Sequence, residues 1–596
     1  MKITKSMTNV EISELLRALA AAYEIKDETK NKFRIIAYER AADAIEHLSS
    51  EAKDLWDDGK LDDVAGVGPS INKHLGEIFS KGKSTHINSV LSDIPDAVFE
   101  LLPIEGVGPK TAFRLVRQLN ISTPNAVKKL RKKCEAGDVA KLEGFGEDSQ
   151  EAILKSIKEI SGREKRHLIN YAEDIAGQLS LWMSEDKFVK RVDTLGSLRR
   201  KASTVGDIDI AVATDNAQEV IEHFVKYPKS NRTLERGNTK ASIILPGNVQ
   251  VDLMVQDEDS YGSLLQHFTG SKHHNIALRE YALKKGMSLS EYGIKQIKTH
   301  GPKLKVFKTE KEFYNFLGMD YIPPELREDT GEIESALNHT LPELIELKDV
   351  KADLQIHSNF DVETSHDLGE SPNDEVINKA VELGYQYIAF TEHNPSQTGH
   401  SEKNIIEILK RKKEMVEKIN YSLKEKLNNR VFKVYNSLEI DILPNSKLPV
   451  SEKALELLDF ALVSIHSSFR QEKDIITNRV IEALSFPKVK IFAHPTARKL
   501  NEREGIDLDW TKIFEFCSKN NKWLEINADP MRLDLPDYLV KEAVKHNIFL
   551  TLGTDSHHIS QMDNMKFGVY VARRGWAEKE NIVNTLDLED FEKMIE

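Results

Sequence analysis

Cysteine is scarce in this chain, which holds two among 596 residues. Cys134 and Cys517 match neither a disulfide framework nor a metal-binding spacing, which favours a reducing compartment. Long apolar runs are also lacking: none approaches the roughly 20 residues of a membrane span, and the first residues do not resemble a signal peptide. We therefore expect a cytoplasmic protein with no membrane partner.

Basic residues are fewer than acidic ones, which gives the chain a net charge of −13. That sum argues against a nucleic-acid partner, but the local distribution decides such binding. One stretch is strongly basic, and it contains Lys110, Arg114, Arg117, Lys128, Lys129, Arg131, Lys132 and Lys133. It is either a solvated helix face or a surface for phosphates.

Three segments repeat one design, in which an apolar residue, a Gly-x-Gly turn and a helical pattern follow each other. They are VAGVGPSINKHL around Gly66 and Gly68, IEGVGPKTAFRL around Gly106 and Gly108, and LEGFGEDSQEAIL around Gly144 and Gly146. Glycine permits the tight turn, and the N–H groups of the following helix start can hold a phosphate. Three such helix-hairpin-helix segments, with Lys110 after the second, predict binding to the nucleic-acid backbone.

Three aspartates predict a metal site for phosphate chemistry. Asp207 and Asp209 alternate with Ile208 and Ile210, so a strand would point both carboxylates to one face. Asp252 lies in a second apolar run that could pair beside the first. Converging carboxylates favour two Mg²⁺ or Mn²⁺ ions, which suit an in-line displacement at phosphorus.

The sequence just before these acids is rich in phosphate-binding groups. Gly196 and Ser197 offer hydrogen-bond donors for a triphosphate. Arg199 or Arg200 offers a planar guanidinium for its charge, and Gly206 allows the backbone to come close to it. Nucleotidyl transfer is the chemistry that this combination favours.

From Lys351 onward, short apolar runs alternate with helical segments, which predicts a parallel α/β barrel. Acidic or imidazole groups stand where these runs end, the edge at which such barrels keep their sites. They are His357, His393, Glu439, His466, His494, Asp555 and His557. The set suits two or three Mn²⁺ or Zn²⁺ ions, which would activate water to hydrolyse a phosphodiester.

GSLRR, GDIDI, VDLM and the segment HFTGSKHHNIALREYALKKG together resemble the family X DNA polymerases, specifically the bacterial and archaeal type with a C-terminal polymerase-and-histidinol-phosphatase (PHP) domain. The similarity covers nearly the whole chain. It implies a multidomain α+β and α/β protein with helical helix-hairpin-helix domains, a polymerase beta-like nucleotidyltransferase palm and thumb, and a PHP domain that is a distorted (β/α)7 barrel.

The resemblance assigns roles to residues. Asp207, Asp209 and Asp252 would be the catalytic metal ligands, while Ser197, Arg200 and Gly206 would hold the incoming triphosphate. Around the nascent base pair it places Phe268 and Gly270 at the sugar, Asn275 at the base edge and Arg279 at the template minor groove. His267 stands where the family often has tyrosine, which bears on selection against ribonucleotides.

The N-terminal helices resemble the small lyase domain of that family. At the position of its nucleophilic lysine this chain has His74, next to Lys73. Histidine does not form the required imine with comparable ease. We therefore expect Lys32 and its neighbours to bind a 5′-phosphate rather than to support lyase chemistry.

The barrel departs from the PHP pattern at two places. Gln355 replaces the first histidine of DLHxH, and SNFDVETSHD replaces Ser-Asp-Gly, so that Asp361, His366 or Asp367 is the substitute ligand. Glu392 replaces the usual aspartate of TDH, and this position need not be a metal ligand. We expect a 3′–5′ exonuclease or 3′-end-processing site; the alternative is a barrel that serves only as a scaffold.

The predicted domains are a lyase-like DNA-binding domain (1–85), a helix-hairpin-helix domain (86–165), the palm (166–260), the thumb (261–320), a linker (321–350) and the PHP domain (351–596). The predicted function is DNA-directed synthesis that fills short gaps in base excision repair. The partners would be gapped or primer–template DNA and deoxynucleoside triphosphates, and the protein a monomer. The alternative within the superfamily is a template-independent nucleotidyltransferase.

Overall fold

The computed structural model describes residues 3–5, 7, 9–46, 52–57, 59–64, 66–104, 106–161, 166–296, 304–397, 399–426 and 432–596. The chain divides into two compact units. The first is Met1–Thr194 with Val205–Gln256, and the second is Leu195–Thr204 with Asp257–Glu596. None of the helices in these described stretches has both the length and the apolar character needed to cross a bilayer.

Helices dominate the beginning of the chain and alternate with strands later. The α-helices are α1 (Asn9–Glu46), α2 (Ala52–Asp57), α3 (Pro69–Lys81), α4 (Thr85–Leu91), α5 (Asp96–Leu101), α6 (Pro109–Gln118), α7 (Ala126–Glu135), α8 (Glu147–Ser161), α9 (Ile169–Ser184), α10 (Gly196–Arg199), α11 (Ala217–Val225), α12 (Tyr261–Thr269), α13 (Lys272–Lys284), α14 (Glu310–Phe316), α15 (Glu332–Leu337), α16 (Asn373–Glu382), α17 (Glu402–Lys426), α18 (Glu452–Leu455), α19 (Lys473–Leu484), α20 (Trp510–Asn520), α21 (Asp537–Lys545), α22 (Met565–Arg574) and α23 (Leu588–Ile595). The strands are β1 (His167–Leu168), β2 (Arg191–Thr194), β3 (Thr204–Val205), β4 (Ile208–Ala213), β5 (Arg232–Arg236), β6 (Lys240–Ile244), β7 (Gln250–Gln256), β8 (Met287–Ser290), β9 (Gly293–Gln296), β10 (Leu304–Lys305), β11 (Ala352–Ile356), β12 (Tyr387–Phe390), β13 (Lys433–Asn436), β14 (Glu439–Asp441), β15 (Ala461–Ser464), β16 (Val489–Phe492), β17 (Trp523–Asn527) and β18 (Leu550–Gly553).

The first unit begins with a helical region, α1 to α8. Helix α1 is kinked at Asp27, whose φ of −172° and ψ of 98° are extended. Apolar side chains from these helices share one core, which includes Leu15, Leu75, Leu115 and Ile157. Burial at three- and four-residue spacing explains why this region is helical. The predicted helical architecture is confirmed.

Each of the three glycine segments forms a turn that leads into a helix. The first glycine of each turn has a positive φ: 84° at Gly66, 84° at Gly106 and 77° at Gly144. Glycine is favoured there because a Cβ atom would clash in this region. Gly68 and Gly108 cap the N-termini of α3 and α6, and proline occupies the first helical position after each.

A five-stranded sheet, counted over the described residues, carries the predicted acids. Its order is β2-β4-β7-β6-β5, with β4 and β7 parallel and the other neighbours antiparallel. Ile208 and Ile210 are fully buried in β4, whereas Asp209 between them is half-buried. Helices α9 and α11 pack against this sheet. The alternation is the one that a strand period of two predicts.

In the second unit, α12 to α14 and the β8–β10 strands surround another core. It includes Leu278 and Phe313, and also Ile322, Leu326 and Ala336 from the segment predicted to be a linker. That segment is therefore folded onto the core rather than extended between domains.

The rest of the second unit is a parallel barrel. β11, β12 and β13 pair in parallel, as do β14 to β18. β13 and β14 form one interrupted strand, since the Leu438 carbonyl between them accepts from Leu462 N at 2.9 Å. A parallel bridge of Ile356 to Ser556 joins the first strand to the end of the last. Taking β13 and β14 together, the described strands make a closed barrel of seven.

The N-terminal end of the barrel is filled by apolar side chains. Phe591 of α23 stacks on Tyr387 with ring centroids 4.5 Å apart, and both share a core with Trp523. The opposite end, where the strands terminate, therefore remains for polar side chains.

Candidate active sites

The three predicted palm acids come together on two neighbouring strands. Asp209 in β4 is directly opposite Asp252 in β7, and Asp207 immediately precedes β4. One carboxylate oxygen from each lies within 4.8 Å of the other two. Gln250 donates its amide N–H to both oxygens of Asp252, at 3.1 and 3.0 Å. Three oxygen ligands on a rigid sheet, open to solvent at Asp207, fit Mg²⁺ or Mn²⁺.

Gly206, which precedes these acids, is close to a cation. A Cβ atom added there would lie 3.2 Å from Nη1 of Arg166, so a side chain would crowd the guanidinium. Nη1 of Arg166 therefore lies beside the Gly206 backbone, and the approach of Gly206 to a triphosphate stays a prediction.

The predicted triphosphate groups of the second unit surround the short helix α10. Gly196 begins it with a φ of 57°, and Ser197 is half-buried. Arg200 donates from Nε to Glu328 Oε1 at 2.9 Å and from Nη1 to the Thr269 carbonyl at 2.6 Å. Its guanidinium is thus held in place by a carboxylate and a backbone carbonyl.

The turn between α12 and α13 holds the residues predicted to meet the nascent base pair. Asn275 donates to the His267 carbonyl at 2.7 Å, and Arg279 lies 3.4 Å from His267 Nδ1. The rings of Phe268 and His267 meet edge to face at 4.8 Å. Gly270 has a φ of 67°, and a Cβ there would lie 3.2 Å from Arg200 Nη1. These residues therefore form one connected group within the second unit.

The helix starts that follow the three glycine turns have open space before them. A Cβ added at Gly68, Gly108 or Gly146 would meet nothing within 4 Å. Lys110 pairs with Glu28 at 2.6 Å, but both side chains are more than half exposed, at 58% and 59%. Such an exposed pair contributes little and exchanges readily for another anion. The surface is suited to backbone phosphates.

The region of the predicted 5′-phosphate site contains a stack of aromatic side chains. The His74 ring stacks on His86 at 4.3 Å, and its Nδ1 lies 3.3 Å from the Tyr38 hydroxyl. Burial, with further help from the His86 charge, lowers the pKa of His74. Lys32 is exposed on α1. His74 thus lies between the stacked His86 ring and the Tyr38 hydroxyl, and its unsuitability as an imine-forming nucleophile stays a prediction.

Gly66→Ala is expected to lower the free energy of unfolding by about 1–2 kcal/mol, because an L-residue is strained at positive φ. The added Cβ would also lie 3.1 Å from the Arg40 carbonyl oxygen. Gly177→Ala is the matched control: this exposed residue is in α9, where a Cβ meets nothing within 4 Å. Alanine there should leave stability unchanged or raise it by about 0.5–1 kcal/mol. Equal losses of the free energy of unfolding in the two variants, measured by urea denaturation, would contradict the role of positive φ at Gly66.

Every predicted barrel ligand lies in one cluster at the C-terminal ends of the strands. Ligand atoms come within 4.8 Å of each other in four overlapping trios. The trios are His357 with His393 and His557; His366 with His393 and His466; Glu439 with His466 and His494; and His357 with Glu439 and Asp555. Shared members make the trios one continuous site.

Glu439 is the centre of this cluster. Its two oxygens lie 2.8 Å from His494 Nε2, 3.3 Å from His466 Nε2, 3.4 Å from His357 Nε2 and 3.5 Å from His393 Nδ1. Burial opposes the charge of Glu439, but the imidazoles, His393 and His494 first, outweigh burial and hold its pKa well below the usual value. A fully buried carboxylate among four imidazoles is suited to hold a metal ion together with them.

Buried nitrogen atoms in the cluster lack hydrogen-bond partners. They are Nδ1 of His357, Nδ1 of His494 and Nε2 of His557. Leaving such polar atoms unpaired in a protein interior is costly, whereas metal ligation would satisfy several of them. With imidazole and carboxylate ligands together, the site fits Mn²⁺ or Zn²⁺.

The chain is similar over its whole length to DNA polymerase/3'-5' exonuclease PolX of Bacillus subtilis (strain 168), with 33% identity over 591 residues and 99% of each chain covered. The protein belongs to the family X DNA polymerases. DNA polymerase lambda of Rattus norvegicus is 23% identical over 349 residues, 54% of this chain and 56% of that protein. DNA nucleotidylexotransferase of Monodelphis domestica is 24% identical over 363 residues, 54% of this chain and 68% of that one.

Three segments of this family X polymerase match known domain families. Residues 7–84 match a helix-hairpin-helix domain, residues 98–159 a SAM-like helix-hairpin-helix tandem, and residues 264–328 the DNA polymerase beta thumb. The resemblance and the fold class predicted from the sequence motifs are confirmed, apart from the PHP assignment of the barrel, which stays a prediction.

The barrel of this family X polymerase also shows how its sequence departures are accommodated. Gln355 donates its amide N–H to Glu439 at 2.9 Å, so it contacts the central carboxylate of the cluster. Of the possible substitute ligands, His366 lies in the cluster. Glu392 instead forms a buried pair with Lys412 at 2.8 Å.

Asp441 is a member of this site that sequence reasoning missed. It accepts from His466 at 2.7 Å and from His366 at 2.8 Å, and thereby orients both rings. The two imidazoles hold the pKa of Asp441 below its usual range despite burial. The sequence did contain a signal, because in EID a strand period of two puts Glu439 and Asp441 on one face.

Proposed function

We propose that this protein is a template-directed DNA polymerase that fills short gaps during base excision repair. The observation that carries the proposal is the Asp209–Asp252 pairing of β4 and β7, which brings three carboxylate oxygens within 4.8 Å. The substrates are gapped or primer–template DNA and deoxynucleoside triphosphates. The glycine turns support backbone binding to DNA, without reading its sequence.

The acids and the α10 region have complementary tasks in this proposal. Asp207, Asp209 and Asp252 would hold two Mg²⁺ or Mn²⁺ ions, which would supply Lewis-acid chemistry for attack of the primer 3′-hydroxyl on the α-phosphate with loss of pyrophosphate. Ser197 and Arg200 bind the phosphates of the incoming nucleotide. Arg200 presents a planar, permanently charged fork to them.

The barrel is the site of a second activity, removal of nucleotides from a DNA 3′ end. Its cluster would hold two or three Mn²⁺ or Zn²⁺ ions, which lower the pKa of bound water and so supply the nucleophile. Arg532, whose Nε lies 3.7 Å from Asp555 Oδ2, would bind the phosphate that is cleaved. Its side chain is only 15% exposed, so the charge is available at the cluster without being fully solvated.

We further propose a role for the N-terminal helices in DNA binding, and a cellular location. Lys32 contributes to binding a 5′-phosphate at a gap, and no lyase chemistry is assigned to His74. The protein acts as a monomer in the cytoplasm. The similarity to DNA nucleotidylexotransferase supports one alternative function, which is template-independent addition of nucleotides to a 3′ end.

Comparing two DNA substrates distinguishes template-directed from template-independent addition. A primer in a one-nucleotide gap with a 5′-phosphate should be extended by the complementary nucleotide at least about tenfold more efficiently than the same strand left unpaired. Preference for the unpaired strand, or addition of all four nucleotides at equal rates, would favour the template-independent function.

A further inference from the structure

Helix α22 of the barrel reaches the loop Leu195–Thr204, here named the nucleotide loop because it carries Ser197 and Arg200. Arg574, the last residue of α22, donates from Nη1 to the Arg200 carbonyl oxygen at 2.8 Å. The same Nη1 donates to Glu328 Oε1 at 3.0 Å. The barrel therefore contacts the loop directly and also through Glu328.

Glu328 is shared by two guanidinium groups. Its Oε1 accepts from Arg574 and, at 2.9 Å, from Nε of Arg200. Burial opposes the charge on Glu328, but Arg574 and Arg200 outweigh it and keep the pKa of Glu328 below its usual value. Because one carboxylate oxygen serves both cations, Arg574 limits how strongly Glu328 can hold Arg200.

The position of Arg574 is itself fixed by the barrel. Its Nε donates to Asp537 Oδ2, at the start of α21, at 2.7 Å, and its side chain is only 10% exposed. One turn earlier in α22, the Tyr570 ring lies 4.3 Å from the ammonium group of Lys201 in the nucleotide loop. Two side chains of one barrel helix thus contact consecutive residues of the loop.

We propose that Arg574 is a positioning residue for nucleotide addition, through which the barrel orients Arg200 toward the triphosphate. Arg574 fixes the backbone at Arg200 and competes for Glu328, which leaves the Arg200 guanidinium able to exchange Glu328 for a phosphate. This inference rests on the proposed function, specifically on phosphate binding by Arg200. It gives the barrel a role in supporting the nucleotide loop, in addition to its own metal cluster.

The kinetic test uses Arg574→Ala in the full chain. Phosphate binding by Arg200 contributes to the bound ground state and to the transition state alike, so its loss raises KM with little change in kcat. We expect KM for the nucleotide on one-nucleotide-gapped DNA to rise about tenfold, with kcat within about twofold. The 3′ digestion rate with Mn²⁺ should not change, since Arg574 is not a ligand of the cluster.

Arg573→Ala is the matched control. Arg573 is the adjacent residue of α22, but it pairs with Glu325 at 2.8 Å and with the Ile345 carbonyl at 2.9 Å. Its removal should leave KM unchanged. If Arg574→Ala does not fold, Asp537→Asn replaces it as the test: it removes the charge that fixes Arg574, so the contact of Arg574 with the Arg200 carbonyl weakens and KM should rise by a smaller factor.

The possible results separate this inference from the proposed function. An unchanged KM in folded Arg574→Ala, an equal rise in Arg573→Ala, or a parallel loss of digestion would overturn the positioning role alone. For Asp537→Asn, an unchanged KM has the same meaning. A wild-type protein that adds no nucleotide to gapped DNA would overturn the proposed function and this inference with it.

Discussion

Asp252→Asn is expected to reduce the rate of nucleotide addition at least roughly a thousandfold, which corresponds to a rise of about 4 kcal/mol in activation free energy. Asparagine has the same shape but no charge, so the ions held between β4 and β7 would lose a shared anionic ligand. The Gln250 amide at 3.0 Å from Asp252 cannot replace that charge, since it is a donor. Single-turnover extension of a gapped primer measures the effect.

Asp215→Asn is the matched control for this prediction. Asp215 follows β4 and is exposed, where it pairs with Lys190 at 2.6 Å. Its replacement should leave extension within about twofold of wild type, since an exposed pair contributes little. Both variants should bind gapped DNA like the wild type. Addition by Asp252→Asn within tenfold of the wild-type rate would show that the metal assignment in the palm is wrong.

The second large effect is expected from Glu439→Gln in the barrel. Four imidazoles approach its carboxylate within 3.5 Å, so removing the charge takes away a ligand that belongs to two of the four trios. We expect the rate of 3′ digestion with Mn²⁺ to fall roughly a hundredfold or more, which corresponds to a rise of about 3 kcal/mol in activation free energy. The number of tightly bound metal ions per chain, measured by elemental analysis, should fall as well.

Asp361→Asn is the control for the cluster. The sequence left Asp361 open as a substitute ligand, but in the structure its carboxylate accepts from the Glu363 N–H at 2.7 Å. Among the described residues, His366 and not Asp361 belongs to a candidate metal group. Asp361→Asn should therefore keep both digestion and metal content. Full digestion by Glu439→Gln would contradict the metal assignment in the barrel, whereas no digestion by the wild type would support the barrel as a scaffold.

The palm acids could be predicted because their signal is local. In GDIDI the strand period of two puts both acids on one face, and the apolar run around Asp252 indicates a second strand. The structure adds the register, with Asp209 opposite Asp252. Glycine turns are local signals in the same sense, since a positive φ depends on the residue itself.

The ligand that replaces Ser-Asp-Gly could not be chosen from the sequence. Asp361, His366 and Asp367 are close neighbours in a segment with irregular backbone, where no periodicity fixes the direction of a side chain. His366 is selected by tertiary contacts: its ring packs on His393 at 4.6 Å and its Nε2 meets Asp441.

The sequence of the segment predicted as a linker does not indicate that it packs onto a core, for a physical reason. Its Pro-Pro pair and its charges are typical of exposed connectors, but Arg327 and Glu332 are buried in ion pairs. Arg327 meets Glu310 at 2.6 Å and Glu332 meets His274 at 2.6 Å. The Glu328–Arg574 contact is equally invisible to local patterns, because 246 positions separate the two residues.

The central claim is that one chain holds two independent metal centres, one for adding and one for removing nucleotides. The most direct measurement follows the length of a 5′-labelled primer in a one-nucleotide gap, with Mn²⁺ and all nucleotides present. Asp252→Asn should only shorten the primer, and Glu439→Gln should only lengthen it. A primer that Asp252→Asn lengthens, or loss of both activities in either folded variant, would contradict the claim.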